Sequence, residues 1–173
     1  MSDTAKNVLD SFEKWVLVPL RRVLIGNPKE THFIAFVILC VAIDNLASIR
    51  YLGDYPPKRQ RYHGKKRYKD FIENYMPKPY QAFSNTLYED FRCNLVHQFQ
   101  LTVFDVQQSP SSEKMHLQRI RNGKICLNSR LLYEDIRSAY KKLRKELIGK
   151  HPDKQALTSF SNAGYQKWSH KDV

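Results

Sequence analysis

An arginine and a histidine separated by four residues are the side chains of this chain best suited to act on a phosphate ester. Arg92 and His97 lie in the segment Leu87–His97, LYEDFRCNLVH. Arginine keeps its charge and offers a planar fork of donors to phosphate oxygens. An imidazole titrates near neutral pH and can serve as general acid or base. These residue types suit metal-independent cleavage of RNA, in which the ribose 2′-OH attacks the adjacent phosphate and DNA is not a substrate.

The elements that must position this pair begin with one helix, predicted from 80 to 100. Its apolar residues recur every four positions as a single stripe: Phe83, Leu87, Phe91, Leu95 and Phe99. On a regular α-helix Arg92 and His97 lie about 140° apart around the axis, on different sides of the stripe. Their convergence requires the reach of the arginine, a local distortion of the helix or a second copy of the chain. The simpler interpretation is a solvated or salt-bridged arginine and a structural histidine.

This segment resembles the signature helix of HEPN domains (higher eukaryotes and prokaryotes nucleotide-binding), whose motif is arginine, four to six residues, then histidine. The resemblance covers about residues 30–148, with a long apolar helix before the motif and a further helix after it. It implies an all-helical bundle that forms a homodimer, in which the arginines and histidines of both copies make one site. It also implies a metal-independent endoribonuclease of a bacterial toxin or antiviral defence system. The alternative is a catalytically inactive module of the same family that binds RNA, a nucleotide or a protein.

The resemblance also implies roles for individual residues. Arg92 would bind the scissile phosphate, His97 would be the acid or base, and Asn94 would orient them. The family usually has Asn, Asp or His directly after the arginine, whereas this chain has Cys93, which we interpret as a small packing residue at the dimer seam. No cofactor is expected. The six histidines are scattered, without an i, i+4 ligand pair, so no metal site is predicted.

Positive charge is the second functional signal. The chain has 29 Lys and Arg against 17 Asp and Glu, a net charge of +12, which favours a polyanionic partner or simply keeps the protein soluble. The densest basic run, 58–69, is interleaved with tyrosines that could stack on unpaired bases. It predicts RNA contacts at Lys58, Arg59, Arg61, Tyr62, Lys65, Lys66 and Arg67. The alternatives are a solvated loop anchored by its tyrosines, or attraction of this run to anionic lipid.

Hydrophobic periodicity predicts a mainly α fold, a helical bundle with a small β-hairpin insertion. The predicted helices cover about 3–25, 30–51, 65–76, 80–100 and 130–148, and Pro19 should kink or split the first of them. A strand is predicted at 102–106, and alternation around Asn122-Gly123 predicts a hairpin within 102–127. This gives one domain over 1–148 and a loosely structured polar tail over 149–173.

The remaining features concern the compartment. The longest apolar run, Phe33 to Ile43, has eleven residues, fewer than the roughly 20 of a membrane span, so it predicts a buried core helix and no transmembrane segment. The three cysteines have no C-x-x-C spacing and suit a reducing compartment. We therefore expect a cytoplasmic protein with RNA as its partner. A toxin of this kind also implies an antitoxin or regulatory partner.

Overall fold

Helices dominate the computed structural model, which describes residues 2–26, 28–56, 58–98 and 100–165. The α-helices are α1 Ser2–Phe12, α2 Val18–Gly26, α3 Pro28–Tyr51, α4 Gly64–Tyr75, α5 Ser84–Thr86, α6 Leu95–Gln98, α7 Ser129–Ile148 and α8 Lys154–Asn162. Two π-helical segments, Glu13–Leu17 and Leu87–Asn94, join α1 to α2 and α5 to α6. The strands are β1 Phe104–Gln107 and β2 Ile125–Asn128. The prediction of a mainly α fold is confirmed.

The first helix is not split at Pro19, and the predicted kink stays a prediction. Helical structure continues from Ser2 to Gly26, and the π-helical segment Glu13–Leu17 lies just before the proline. A proline ring clashes with the carbonyl group four residues earlier, here that of Trp15. The wider π-helical turn is a common way to take up such a local misfit within a helix.

Helix α3 occupies the centre of the fold, where it contacts α2, α4, α7 and α8. The stretch Phe33–Asp54, which begins in α3 and ends in the turn just after it, has 22 residues and a mean hydropathy of 2.0, and it meets the length and composition of a membrane span. Core helices of water-soluble proteins meet the same criterion, and 56% of this stretch is buried by the rest of the chain. The expected lack of a transmembrane segment stays a prediction.

The small sheet differs from the predicted hairpin. Strands β1 and β2 run parallel, with Phe104 opposite Ile125. The chain does reverse at Asn122–Gly123, where the Ile120 N–H donates to the Lys124 carbonyl. Before this turn Leu117 has a φ of 60°, a left-handed conformation that interrupts an extended strand. The two arms of the turn are still joined by an isolated antiparallel bridge between Arg119 and Ile125 and by backbone hydrogen bonds from Leu117 to Cys126 and from Cys126 to Gln118. A hairpin-like reversal is therefore present, but the regular pairing of β2 is with β1.

The tail is more ordered than the sequence predicted. Residues 154–162 form α8, which buries Ala156 and Phe160, so the expectation of a loosely structured tail is wrong for this part. The Ser159 hydroxyl donates to the Arg50 carbonyl at 2.7 Å. Gly53 lies so close to α8 that a Cβ atom added there would be 1.8 Å from the Ser159 carbonyl oxygen. The polar composition of 149–173 concealed this short amphipathic helix. Residues 166–173 lie outside the described residues.

We therefore expect Gly53→Ala to destabilise the protein by about 1–3 kcal/mol, the usual cost of overpacking. The clash is with backbone atoms, so α8 would have to move away from α3. Urea unfolding measures the change. Gly64→Ala is the matched control, because its added Cβ would find only the Tyr88 hydroxyl, at 3.7 Å. Equal midpoints for Gly53→Ala and the wild type would contradict this packing.

A second internal constraint is a partly buried chain of hydrogen bonds that joins Tyr80, His116, Asn128 and Asp135. The Tyr80 hydroxyl donates to Asp135 Oδ2 at 2.8 Å and lies 2.7 Å from His116 Nε2. His116 Nδ1 accepts the Asn128 N–H at 2.9 Å, so the neutral imidazole carries its proton on Nε2. Burial lowers the pKa of His116 to about 4. Protonation of Nδ1 would break the bond to Asn128, the residue that caps α7.

Because folding lowers the His116 pKa from about 6.5, this residue stabilises the fold fully above pH 6.5. The contribution is lost as the pH falls from 6.5 to 4. After allowance for partial exposure we expect a loss of about 1–2 kcal/mol. Stability measured from pH 7 to pH 4 should fall more steeply in the wild type than in His116→Gln. Parallel curves for the two proteins would rule out this role.

Candidate active site

The candidate site lies on an unusually wide helix. We call Ser84–Gln98 the motif helix; it consists of α5, the π-helical segment Leu87–Asn94 and α6. The Leu95 N–H donates to the Asp90 carbonyl, five residues back rather than four. The thiol of Cys40, on α3, donates to the Phe91 carbonyl at 3.1 Å. This contact from a neighbouring helix supplies a partner for a carbonyl group in the widened turn.

The widened helix brings the predicted pair together. Arg92 Nη1 lies 3.3 Å from His97 Nε2 within one copy of the chain. Two of the three routes to convergence that the sequence left open are present within this one copy: the reach of the arginine and a local distortion of the helix. The π-helical turn ends at Asn94, between the two residues, and its smaller rotation per residue reduces the 140° separation of a regular α-helix. His97 is exposed, and its imidazole is therefore open to a ligand.

Asp44 of α3 holds the arginine in place. Its Oδ2 accepts a hydrogen bond from Arg92 Nη2 at 3.0 Å, and both side chains are a little under one third exposed. The guanidinium group also lies 5.7 Å from the centre of the Tyr88 ring. Partial burial alone would lower the pKa of Arg92, but the Asp44 carboxylate, with smaller contributions from Cys93 and Tyr88, outweighs it, and the pKa is raised. The Arg92 guanidinium is therefore permanently charged and held in one orientation beside the accessible imidazole of His97.

A buried carboxylate fixes where the motif helix ends. Asp90 is only 3% exposed. Its Oδ1 accepts the Thr102 N–H at 2.9 Å and the Thr102 hydroxyl at 2.6 Å, and its Oδ2 accepts the N–H groups of Val103 and Phe104. Burial would raise the pKa of Asp90, but the hydrogen bonds from Thr102, Val103 and Phe104 together lower it. The chain after α6 is thereby tied back to the helix that carries Arg92.

The other two residues of the predicted motif have different surroundings. Asn94 Nδ2 donates to Asp90 Oδ1 at 3.2 Å, so its amide faces the Asp90 cluster and not the Arg92–His97 pair. Cys93 is half-buried, and its thiol is free. It lies close to Tyr88, which it hydrogen-bonds, and to Arg92. The structure thus brings together Arg92 and His97, while Asn94 supports the helix.

The predicted basic segment reaches the motif helix at one end. Lys65, near the start of α4, forms an ion pair of 2.5 Å with Glu89 of the motif helix. Lys58, Arg59 and Lys66 are exposed, as an RNA contact requires. Arg67 is not: it is 9% exposed and donates to the Gln60 carbonyl, so it is a structural residue. The side chains of Arg61 and Tyr62 lie outside the described residues.

Tyrosines of this segment are mostly committed to the fold. Tyr68 is fully buried and packs edge-on against Tyr88, with ring centres 5.6 Å apart. Tyr55 stacks on His63 at 4.1 Å. Tyr68 therefore cannot stack on a base, and for this residue the alternative of a tyrosine anchored to the core is correct.

Sequence reasoning missed the three residues that organise the site: Asp44, Tyr88 and Asp90. The stripe of apolar residues at intervals of four gave no signal for them. On a regular helix Leu87, Phe91 and Leu95 span only about 80°, so their full burial fits an α-helix as well as a π-helix. The partners of these polar residues lie on other elements of the fold, which periodicity does not reveal.

Comparison of the chain with protein-family models, with curated proteins and with solved structures finds no match. Among the residues that the structure describes, no group of three or more His, Cys, Asp or Glu side chains could hold a metal ion. The resemblance to HEPN domains thus rests on the motif and its helical context alone.

We expect Asp90→Asn to destabilise the protein by about 3 kcal/mol, as the loss of a buried, multiply bonded charge does. An amide presents an NH₂ donor to N–H groups that need an acceptor. Urea unfolding gives the stability, and hydrogen exchange of the Thr102–Phe104 amides gives the local effect. Asp10→Asn, at a surface ion pair with Arg144, is the control and should cost less than about 1 kcal/mol. Unchanged exchange at 102–104 would contradict the tethering role.

Proposed function

We propose that this protein is a metal-independent endoribonuclease of the HEPN type, acting as a homodimer. One observation carries the proposal: the contact of 3.3 Å between Arg92 Nη1 and the exposed His97. A charged fork and a titratable imidazole within reach of the same phosphate are the two components that this reaction needs. The resemblance of residues 87–97 to the HEPN motif supports the same assignment.

The reaction divides the chemistry between two histidines. One imidazole removes the proton of the 2′-OH, whose oxygen then forms a bond to phosphorus. The bond from phosphorus to the 5′-oxygen breaks, and a second imidazolium protonates the leaving oxygen. The products are a 2′,3′-cyclic phosphate and a free 5′-hydroxyl group. Arg92 stabilises the charge that develops on the phosphate oxygens. Each copy supplies one such histidine, so a dimer with two motif helices facing each other would complete the site.

The neighbouring cations supply a path for the RNA strand. Lys65 is tied to the motif helix through Glu89, and Lys58 and Arg59 extend the exposed positive charge along the chain before α4. Lys66 is exposed too, but it is paired with Asp70 at 2.8 Å. Phosphate contacts of this kind position an RNA without reading its sequence. The proposal therefore makes no choice of target sequence.

A second function, RNA binding without cleavage, is favoured by the Asp44 contact. The carboxylate already neutralises part of the Arg92 charge, which weakens the stabilisation available to a phosphorane-like transition state. The Asn94 amide, which faces Asp90, is not in place to assist. The same surface would then hold RNA through its lysines alone.

The two functions are separated by incubation of the purified protein with a single-stranded RNA and EDTA. Cleavage should occur, and products should end in a cyclic phosphate. Arg92→Ala and His97→Ala should each lower the rate at least about 100-fold, while Arg137→Ala, at an arginine of α7 that is paired with Glu134, should not. Sedimentation should report a dimer. Salt-dependent RNA binding without cleavage would establish the second function, and a strictly monomeric nuclease would refute the composite site.

A further inference from the structure

Large apolar side chains are exposed along the helical stretch near the start of the chain. Trp15 is 66% exposed, Val18 42% and Ile25 70%. Their spacing of three and then seven residues places them on one side of the helix. Leu17 and Leu20, which face the core, are buried. Large apolar side chains that are grouped and left in solvent in this way mark a contact surface.

Basic side chains flank this apolar group. Lys14, Arg21 and Arg22 are exposed, and none of them forms an ion pair with any described residue. Lys14 Nζ lies 4.8 Å from the centre of the Trp15 ring, so charged and apolar groups meet there. The six residues form a surface that we call the N-terminal face: Lys14, Trp15, Val18, Arg21, Arg22 and Ile25.

The nearby carboxylates are bound to another helix. Glu13 is the one acidic residue between positions 11 and 26, and its Oε2 accepts the Tyr140 hydroxyl at 3.0 Å. Asp10 Oδ1 pairs with Arg144 at 2.6 Å. Both partners belong to α7, so the two carboxylates turn toward that helix. The positive charge of the N-terminal face is therefore not neutralised by its own helix.

Helix α3 adds a further exposed apolar side chain. Both α2 and the π-helical segment before it contact α3, so the chain reverses after α2 and the two helices run side by side. Ile25 and Ile34 both lie near the end of the pair where the chain passes from α2 to α3. Ile34 is 58% exposed. Exposed apolar surface is therefore present on both helices at this end.

The mixture of groups selects the partner. An RNA would satisfy the cations but would leave Val18 and Ile25 without an apolar contact. A second copy docked through the same face would bring like charges together, because a two-fold contact pairs a surface with itself. An anionic bilayer meets both requirements, since its headgroups attract Lys and Arg and its acyl boundary buries aliphatic side chains. Tryptophan is enriched at this boundary.

We propose that the N-terminal face binds the surface of a membrane that contains anionic phospholipids. The aliphatic side chains enter the boundary between headgroups and acyl chains, Trp15 lies at the headgroup level, and the three cations contact lipid phosphates. The binding is peripheral, and α3 stays in the centre of the fold. The face contains no residue of the candidate active site, so this proposal does not rest on the nuclease activity.

Sedimentation of the full chain with vesicles tests the electrostatic part. The protein should bind vesicles of phosphatidylcholine with about 30% phosphatidylserine, and it should bind pure phosphatidylcholine at least about tenfold more weakly. Arg21→Gln/Arg22→Gln should weaken binding to the anionic vesicles at least about tenfold. Lys141→Gln/Lys145→Gln is the matched control: it removes the same charge from two exposed lysines of α7 and should bind as the wild type does.

Tryptophan fluorescence tests the apolar part. The sequence has two tryptophans, so Trp168→Phe leaves Trp15 as the only reporter. Its emission should shift to shorter wavelength with anionic vesicles, and lipids brominated on their acyl chains should quench it. Trp15→Gln/Ile25→Gln should weaken sedimentation with these vesicles at least about tenfold. Both side chains are exposed, so this variant should keep the thermal unfolding transition of the wild type.

Four results would overturn the proposal. A normally folded wild type that does not sediment with anionic vesicles has no membrane site, and loss of RNA binding in the arginine variant would then assign the face to RNA. Equal weakening in the lysine control would mean that net charge alone attracts the vesicles. Loss in Lys58→Gln/Arg59→Gln instead of the arginine variant would place the lipid contact in the basic run 58–69. An apolar variant that keeps vesicle binding but is a smaller oligomer than the wild type would make the face a contact between copies of the chain.

Discussion

The motif region depends on the hydrogen bonds that the buried Asp90 carboxylate accepts. Within the protein interior it gathers three backbone N–H groups, a hydroxyl and an amide from residues 94–104. A buried charge is tolerated only when donors surround it in this way. The chain after Gln98 must therefore turn back to the motif helix before β1 begins. That turn leaves His97 near the exposed end of the helix, one turn from Arg92.

Helix α3 supplies the complementary support from the other side. Cys40 and Asp44 are one helical turn apart, so both face the motif helix. The thiol binds a carbonyl group of the π-helical turn, and the carboxylate binds Arg92. One apolar helix thus stabilises both the widened backbone and the side chain that depends on it. The same carboxylate also competes with a phosphate for the guanidinium, so a substrate has to displace or share this contact.

Much of the fold could be predicted, because burial follows the helical period. The bounds of α3, α4 and α7 lie within two residues of those predicted. The sheet could not, since neither the parallel pairing of β1 with β2 nor the left-handed conformation of Leu117 follows from the residue types. For the site, Arg92 and His97 follow from their types and spacing, but Asp44 is 48 residues from Arg92 in the chain. The density of positive charge also led to a wrong prediction at Arg67: the residue lies within a basic run, but it is buried and cannot contact RNA.

The net charge of +12 attracts an anion only through those cations that are not already paired within the protein. Arg144 faces the Asp10 carboxylate, and Arg67 is buried against a carbonyl group, so neither is available to a ligand. Lys65 is paired as well, but its partner Glu89 is itself exposed and the pair is open to exchange. A phosphate group competes best where a cation is held in place without a carboxylate, because no existing bond has to be broken first. The surfaces at which an anion can bind are therefore found by asking which partner each cation already has, and not by counting cations.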